Sequence, residues 1–273
     1  MLTLDEESGD FETLTQKISD ERGFRCASYK DKCLRRRIAV RMRARGVHTY
    51  ADYSRILDDD GAEYDRLLDA LTINVTKLFR NWEAYAAVAD RVVPALWSRE
   101  QPRIRVWSAG CSSGEEPYSI AVLFHRFVAE SGAPGSIRRL DVLGTDIDRR
   151  CLARARTGDF GEGDFADTPE EIRARYFGAA PDYPVDFAVR QVVRFEQRDL
   201  LVDPAPAGPF DLIVCRNVMI YFDRDSQERL FEKFHGALAP DGFLMLGKVE
   251  TLLGRARGRF APVDARERIF KKL

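Results

Sequence analysis

Two hydrophobic rhythms divide the chain. From residue 10 to about 90 apolar positions recur at helical spacing: Phe11, Leu14 and Ile18 share one face, and Cys33, Leu34 and Ile38 share another. The spacing predicts a helix over Tyr29 to Arg45, ended by Gly46 and Val47. It predicts two short helices over Tyr50 to Leu57 and Glu63 to Leu71, and a linking helix over Trp82 to Trp97. Between them LTINVTKLFRN (71–81) mixes β-branched residues, an Asn and two Thr, poor material for an amphipathic helix, and reads as a turn between helices. From Ile104 strand-length apolar runs alternate with helical stretches. Strands are predicted from Ile104, then at Leu140–Asp146, Val192–Glu196, Phe210–Cys215 and Phe243–Leu246. Gln227 to Leu238 reads as a helix, Ala239 to Gly242 as a turn, and Phe260–Asp264 with Glu267–Lys271 as a closing hairpin. The fold class is therefore α/β. A small all-α domain (1–90) precedes a domain of five parallel strands with helices (91–273), whose crossovers should be right-handed. Residues from about 157 to 193 break that rhythm with Gly, Pro, Asp and aromatics around a helix at Pro169 to Tyr176, and read as an insertion at the sheet's ligand edge.

The stretch IRVWSAGCSSGEEPYSIAVLF (104–124) reads as strand, glycine turn and helix, the place where open α/β sheets bind their ligands. Gly110 and Gly114 suit positive φ or close approach of a ligand to the backbone, which makes Gly110 a cofactor-site candidate. Ser112 and Ser113 stand three residues before Glu115 and Glu116, two overlapping capping-box registers, and Pro117 fits the first helical turn. The G-x-x-x-G spacing is not the dinucleotide fingerprint, and two carboxylates would repel a pyrophosphate. A phosphate-free ligand with positive charge and hydroxyls suits the turn. S-adenosylmethionine is one, with an ammonium, a sulfonium and a ribose diol. The alternative is that Glu115 and Glu116 only cap the helix and complement its dipole. Asp146 ends the second strand, either as a ribose-diol acceptor or as the N-cap of a helix from Asp148 to Ala155. Asp199 lies where a loop acid meets an adenine ring.

Charge adds a second feature. The total of 43 Lys and Arg against 44 Asp and Glu conceals eight bases and one acid between Tyr29 and Arg45. Lys30, Arg37, Arg41 and Arg45 share a stripe at helical spacing. They form either a solvated face or a dock for an anionic partner, a nucleic acid or an acidic protein surface. Aromatics are not interleaved along it, which weakens the single-strand nucleic-acid reading. Five cysteines without a C-x-x-C pair argue for a reducing compartment and against zinc or a disulfide framework. The acidic start MLTLDEESGDF is no signal peptide and no run approaches a membrane span, so a cytoplasmic location is expected. His48, His125 and His235 lie outside every motif.

Five motifs follow one another in order: LTINVTKLFRN (71–81), GCSSGEEPYSIA (110–121), GTDID (144–148), FDLIVCRNVMIYF (210–222) and LAPDGFLMLG (238–247). Together they resemble the CheR-type chemotaxis receptor methyltransferases over nearly the whole chain, basic helical domain included. The resemblance implies a class I, Rossmann-like S-adenosylmethionine-dependent methyltransferase domain without a metal. It implies methyl transfer to glutamate side chains in the cytoplasmic helical region of membrane chemoreceptors, giving γ-glutamyl methyl esters and S-adenosylhomocysteine for sensory adaptation. Carried over by motif, the cofactor positions are Asn74, Thr76, Arg80, Glu116, Asp146, Asp199, Leu200, Arg216 and Asn217. Arg80 and Tyr221 would flank the methyl group and the incoming carboxylate. The basic helix, with Lys30, Arg37, Arg41 and Arg45, would dock the receptor bundle. Recruitment to membrane receptor arrays would come through that partner alone.

The chemistry agrees. A glutamate of pKa near ~4.3 is already ionised at neutral pH and needs no general base. The enzyme must desolvate it, align it with the sulfonium methyl and exclude water. An arginine can steer the carboxylate and a tyrosine hydroxyl can hold one oxygen. The sequence departs from the family at Leu78-Phe79, where two phenylalanines are usual, and at GKVETL (247–252), where many members have GHSE. The insertion between Arg175 and Val193 is short and has no glycine-rich loop, so no receptor pentapeptide tether is expected. Two rival readings are a nucleic-acid methyltransferase and a cofactor-binding signalling module that has lost catalysis. Arg216-Asn217-Val218-Met219 lacks the proline pair that holds a flipped base, against the first. Arg80, Asp146, Asn217 and Tyr221 stand against the second.

Overall fold

The computed structural model describes residues 4–72, 74–99, 101–132 and 137–273. The chain forms two compact units. The first holds the residues up to 73 together with Tyr221–Ser226; the second holds Asn74–Ile220 and Gln227–Leu273.

The first unit is helical: α1 (Leu4–Arg22), α2 (Asp31–Ala44), α3 (Tyr50–Asp59) and α4 (Gly61–Leu71). Its core joins Phe11, Leu14 and Ile18 of α1 to Leu34 and Ile38 of α2, Tyr53 of α3 and Leu67 of α4. Gly46, at φ +69°, ends α2 as the sequence predicts. The hydroxyl of Thr49 accepts the Asp52 N–H at the start of α3, and Asp60 accepts the Glu63 N–H at the start of α4. One carboxylate lies inside this unit. Glu63 is fully buried and takes two donors from Arg41, at 2.9 and 2.6 Å, and the Tyr53 hydroxyl at 2.9 Å. Arg45 pairs with Asp60 at 2.9 Å. Two of the four bases in the predicted docking stripe are thus turned toward α4 and neutralised there. The helical period identified a shared face, but part of that face meets a neighbouring helix.

The division between units falls at residue 73 and not near 90. The reason is burial: Leu78, Phe79, Tyr85, Val88 and Val92 are fully enclosed in the core of the second unit. The helix read as a linker therefore belongs to that core. It runs as α5 (Trp82–Ala87), a wider π turn (Val88–Val92) and α6 (Val93–Trp97).

The second unit is built on a seven-stranded sheet. Its strands are β1 (Ile104–Ala109), β2 (Leu140–Asp146), β3 (Val193–Gln197), β4 (Phe210–Cys215), β5 (Leu238–Leu246), β6 (Phe260–Asp264) and β7 (Ile269–Lys272). The order is β3-β2-β1-β4-β5-β7-β6. The first five run parallel and the last two form the antiparallel hairpin. The order reverses between β1 and β4, so the ligand crevice lies beyond the carboxyl ends of those two strands. The helices are α7 (Glu115–Ser131), α8 (Arg149–Thr157), α9 (Glu170–Tyr176), α10 (Phe187–Arg190) and α11 (Arg224–Ala237).

Two local expectations change. Ala239 to Gly242 is not a free turn: β5 starts at Leu238 and the register steps from Phe210–Leu238 to Leu212–Phe243. Pro240 has no N–H for the ladder and Asp241 sits at φ +59°, so these residues form a bulge inside the strand. Neither capping box forms at α7. Gly114, at φ +95°, is the N-cap, and the Ser113 hydroxyl turns instead to the Glu115 carboxylate at 2.8 Å. The insertion carries no strand pair among the described residues, only isolated bridges between Asp159 and Pro184 and between Phe177 and Val185.

Candidate active site

The loops beyond β1 and β2, residues 216–220 beyond β4 and the segment 74–81 belong to the second unit. After β1 the chain turns back at Gly110 (φ +83°), whose N–H, with that of Cys111, donates to the Thr145 carbonyl at 2.8 and 2.9 Å. A Cβ at Gly110 would lie 2.6 Å from Val218, and one at Gly114 would lie 2.9 Å from Ala155. The glycines thus serve positive φ and tight packing against the chain itself; the close approach at Gly110 is made by a valine side chain.

Asp146 is buried, and its Oδ2 accepts the Ser112 N–H at 2.7 Å while Oδ1 accepts the Asp148 N–H at 3.0 Å. Burial raises its pKa, against the pull of those N–H groups. It is not the helix cap. That role belongs to Asp148, whose Oδ1 accepts the N–H groups of Arg150 and Cys151 and whose Oδ2 accepts the Asn74 amide at 2.7 Å. Asn74 is thereby tied to the loop after β2.

Glu116 lies below the β1 turn and accepts the Ser108 hydroxyl at 2.8 Å. Burial pushes its pKa up to about 7, although Arg216, the Ser108 hydroxyl and Arg80 all favour the charged form. Arg216 joins two motifs. Its Nη1 donates to the Arg80 carbonyl at 2.9 Å, its Nη2 to the Asn81 side chain at 3.2 Å, and its guanidinium lies 5.2 Å from the Tyr85 ring centre. The 74–81 segment is also held by Ser119, which accepts the Phe79 N–H at 2.9 Å, and by Asp167, which accepts the Asn81 N–H at 2.9 Å. Phe79 and Asn81 both have positive φ, so this segment is a fixed loop and not a simple turn between helices. The Arg80 guanidinium donates to the Val75 carbonyl at 2.8 Å, and Thr76 beside it is half-buried.

Asn74 is thus joined to Asp146 through Asp148, and Arg80 to Arg216 beside Glu116. Asp199 stands apart from these: its Oδ1 accepts the Leu201 N–H at 2.7 Å and its own N–H donates to Asp203 at 2.8 Å. Leu200 is buried, and its carbonyl accepts the Lys233 ammonium. Tyr221 falls in the first unit, where its carbonyl accepts the Lys30 N–H at 2.9 Å. Of the remaining stripe residues, Lys30 is exposed and Arg37 is half-buried.

Sequence reasoning missed Glu250. Its buried carboxylate accepts backbone N–H groups from Asn217, Val218, Met219 and Gly247. Lys248, in the GKVETL stretch, is exposed and lies 3.9 Å from Glu83. The available signal was an acid three residues after the glycine that follows β5. The edge as a whole offers carboxylate and amide oxygens beside two guanidiniums. Burial pushes the Cys111 and Cys215 thiols there well above their usual range.

Comparison with known proteins decides the family. The CheR methyltransferase all-alpha domain matches residues 9–72, and the CheR methyltransferase SAM binding domain matches residues 74–269. The chain belongs to the CheR methyltransferase family. Its CheR relatives include the chemotaxis protein methyltransferase of Listeria monocytogenes, 34% identical over 248 residues, spanning 90% of this chain and 92% of that one. The chemotaxis protein methyltransferase of Salmonella typhimurium is 34% identical over 256 residues, 90% of this chain and 85% of that one. The one of Klebsiella aerogenes is 36% identical over 252 residues, 88% and 82% of the two chains. The two CheR domain matches meet near the first boundary between the compact units, while Tyr221–Ser226, inside the second match, groups with the first unit. No described helix is long and apolar enough to cross a membrane.

Proposed function

We propose that this CheR-family chain transfers a methyl group from S-adenosylmethionine to glutamate carboxylates in the cytoplasmic helical region of chemoreceptors. The observation that carries the reading is the unsatisfied oxygen at the carboxyl edge: Asn217 Oδ1 is buried and has no hydrogen-bond partner. A buried acceptor without a donor is costly, and the ammonium of a bound ligand can supply that donor. Asp146 spends one lone pair on each oxygen and keeps others for a ribose diol. Glu116 places a second carboxylate near the positive charge of the same ligand. These residues fit S-adenosylmethionine, with Asn74, Thr76, Asp199, Leu200 and Arg216 completing the binding loops.

When bound, S-adenosylmethionine supplies a methyl group on a positively charged sulfur. The chain's task is orientation. Arg80 steers the incoming carboxylate, which is already ionised. Arg216 fixes the backbone that carries Arg80 by bonding its carbonyl. The helical unit binds the receptor through the outward bases of α2. With Arg41 and Arg45 spent on Glu63 and Asp60, this face centres on the exposed Lys32, Arg36 and Arg43 beside Lys30 and Arg37.

The test is methyl transfer from radiolabelled S-adenosylmethionine to receptor cytoplasmic fragments, read as volatile methanol after base treatment. A base-labile signal that falls by about tenfold or more in Arg80→Ala is expected. A base-stable signal, or none with a chain that binds the donor, would overturn glutamate esterification.

A further inference from the structure

The carboxylate of Glu250 is only 4% exposed. Its Oε1 accepts the N–H groups of Val218 and Met219 at 3.0 and 2.9 Å; its Oε2 accepts those of Asn217 and Gly247 at 3.0 and 2.6 Å. A buried carboxylate is costly unless such donors fill its lone pairs. What the four bonds produce is a backbone shape. Residues 217–219 leave β4 with their N–H groups converging on one point, and Asn217 is held left-handed at φ +60°. Gly247 closes the arrangement, because a Cβ there would lie 2.8 Å from Glu250 Oε2 and 2.9 Å from the Asn217 nitrogen. The side chain of Asn217 ends in the buried, unpartnered Oδ1.

We propose that Glu250 is a positioning residue for the methyl-donor site, fixing the 217–219 turn so that Asn217 Oδ1 receives the donor's ammonium. The inference rests on the cofactor reading given above. Glu250 does not meet the donor itself, since each of its oxygens already faces two N–H groups, and it acts through the turn that carries Asn217.

Two ligands separate this role from simple support of the fold. S-adenosylhomocysteine carries the ammonium; 5′-methylthioadenosine keeps the adenosine and lacks the amino-acid end. The experiment is calorimetric binding of both to the full chain. Wild type is expected to prefer S-adenosylhomocysteine. In Glu250→Gln an amide NH2 replaces one oxygen and opposes two backbone donors. The preference should fall by about tenfold, with 5′-methylthioadenosine affinity unchanged. Gly247→Ala, which displaces the turn and leaves the carboxylate in place, should lose the preference too, and it serves if Glu250→Gln does not fold. The control is Asp211→Asn at the start of β4. Asp211 is a buried carboxylate that accepts the Arg105 N–H at 2.8 Å and the Gln101 amide at 3.0 Å. It should lower stability and leave the preference intact. A wild type that discriminates, with a Glu250→Gln that discriminates equally, overturns the positioning role and spares the cofactor reading. A wild type that binds neither nucleoside overturns the cofactor reading itself.

Discussion

At the residue scale, Glu116 is expected to set the pH behaviour of the proposed cofactor site. Its pKa stands at about 7 in the folded chain because burial outweighs Arg216 and Ser108, against an ordinary value of 4.5. Between those values the folded chain holds a proton that the unfolded chain has released, so folding stability falls as pH rises through that window. The loss amounts to roughly 3 kcal/mol above pH 7. A cationic ligand favours the ionised form, so its affinity rises over the same window. Calorimetry is expected to show S-adenosylmethionine binding several-fold tighter at pH 8 than at pH 6. Glu116→Gln should bind weakly at both pH values and melt higher than wild type at pH 8. An unchanged pH slope in the variant would remove Glu116 from the site. The placement of Glu116 at the start of α7 and Asp146 at the end of β2 was legible in the sequence, because a strand, a glycine turn and an acid recur in fixed order. Glu250 was not, because its partners are backbone N–H groups, which every residue type but proline carries alike.

At the scale of elements, the pairing of α2 with α4 separates two kinds of base on one helix. Arg41 faces a carboxylate with no exposure at all, and removing it leaves that charge buried and short of donors. Arg41→Ala should destabilise the helical unit by about 3 kcal/mol, read as a lower thermal midpoint. The double variant Arg36→Ala, Arg43→Ala should keep the wild-type midpoint and lose receptor-fragment affinity; an unaltered affinity would move the docking face elsewhere. Periodicity located α2 and its stripe but could not show which bases α4 covers, since Arg41 and Glu63 lie 22 positions apart. Strands fared better. The bounds of β2, β4 and β6 match the apolar runs, because buried parallel strands and hairpins write themselves into composition. The start of β5 did not, because Pro-Asp-Gly signals a turn and a bulge alike.

At the scale of the whole molecule, near-neutral total charge and a basic α2 predict two different salt responses. KM for receptor fragments should rise steeply with ionic strength, while affinity for S-adenosylmethionine changes little, because exposed charges are screened and buried ones are not. Equal salt dependence of the two would dissociate α2 from docking. The insertion, held by isolated bridges and without a strand pair among the described residues, offers no sheet edge for an added peptide strand. Calorimetry with a receptor C-terminal pentapeptide is accordingly expected to show no micromolar binding. The fold class was legible because five parallel strands and a hairpin leave a long, ordered signature. The unit boundary was not, because Leu78 to Val92 look the same in sequence whether they link two cores or fill one. The first unit is also discontinuous along the chain, since Tyr221–Ser226 returns to it and its Phe222 bridges to Tyr29. A gene fragment encoding only residues 1–73 would carry an incomplete module. Recombination that shuffles contiguous coding segments would part those six residues from the rest of the helical unit, and the two parts of the chain are expected to be inherited together.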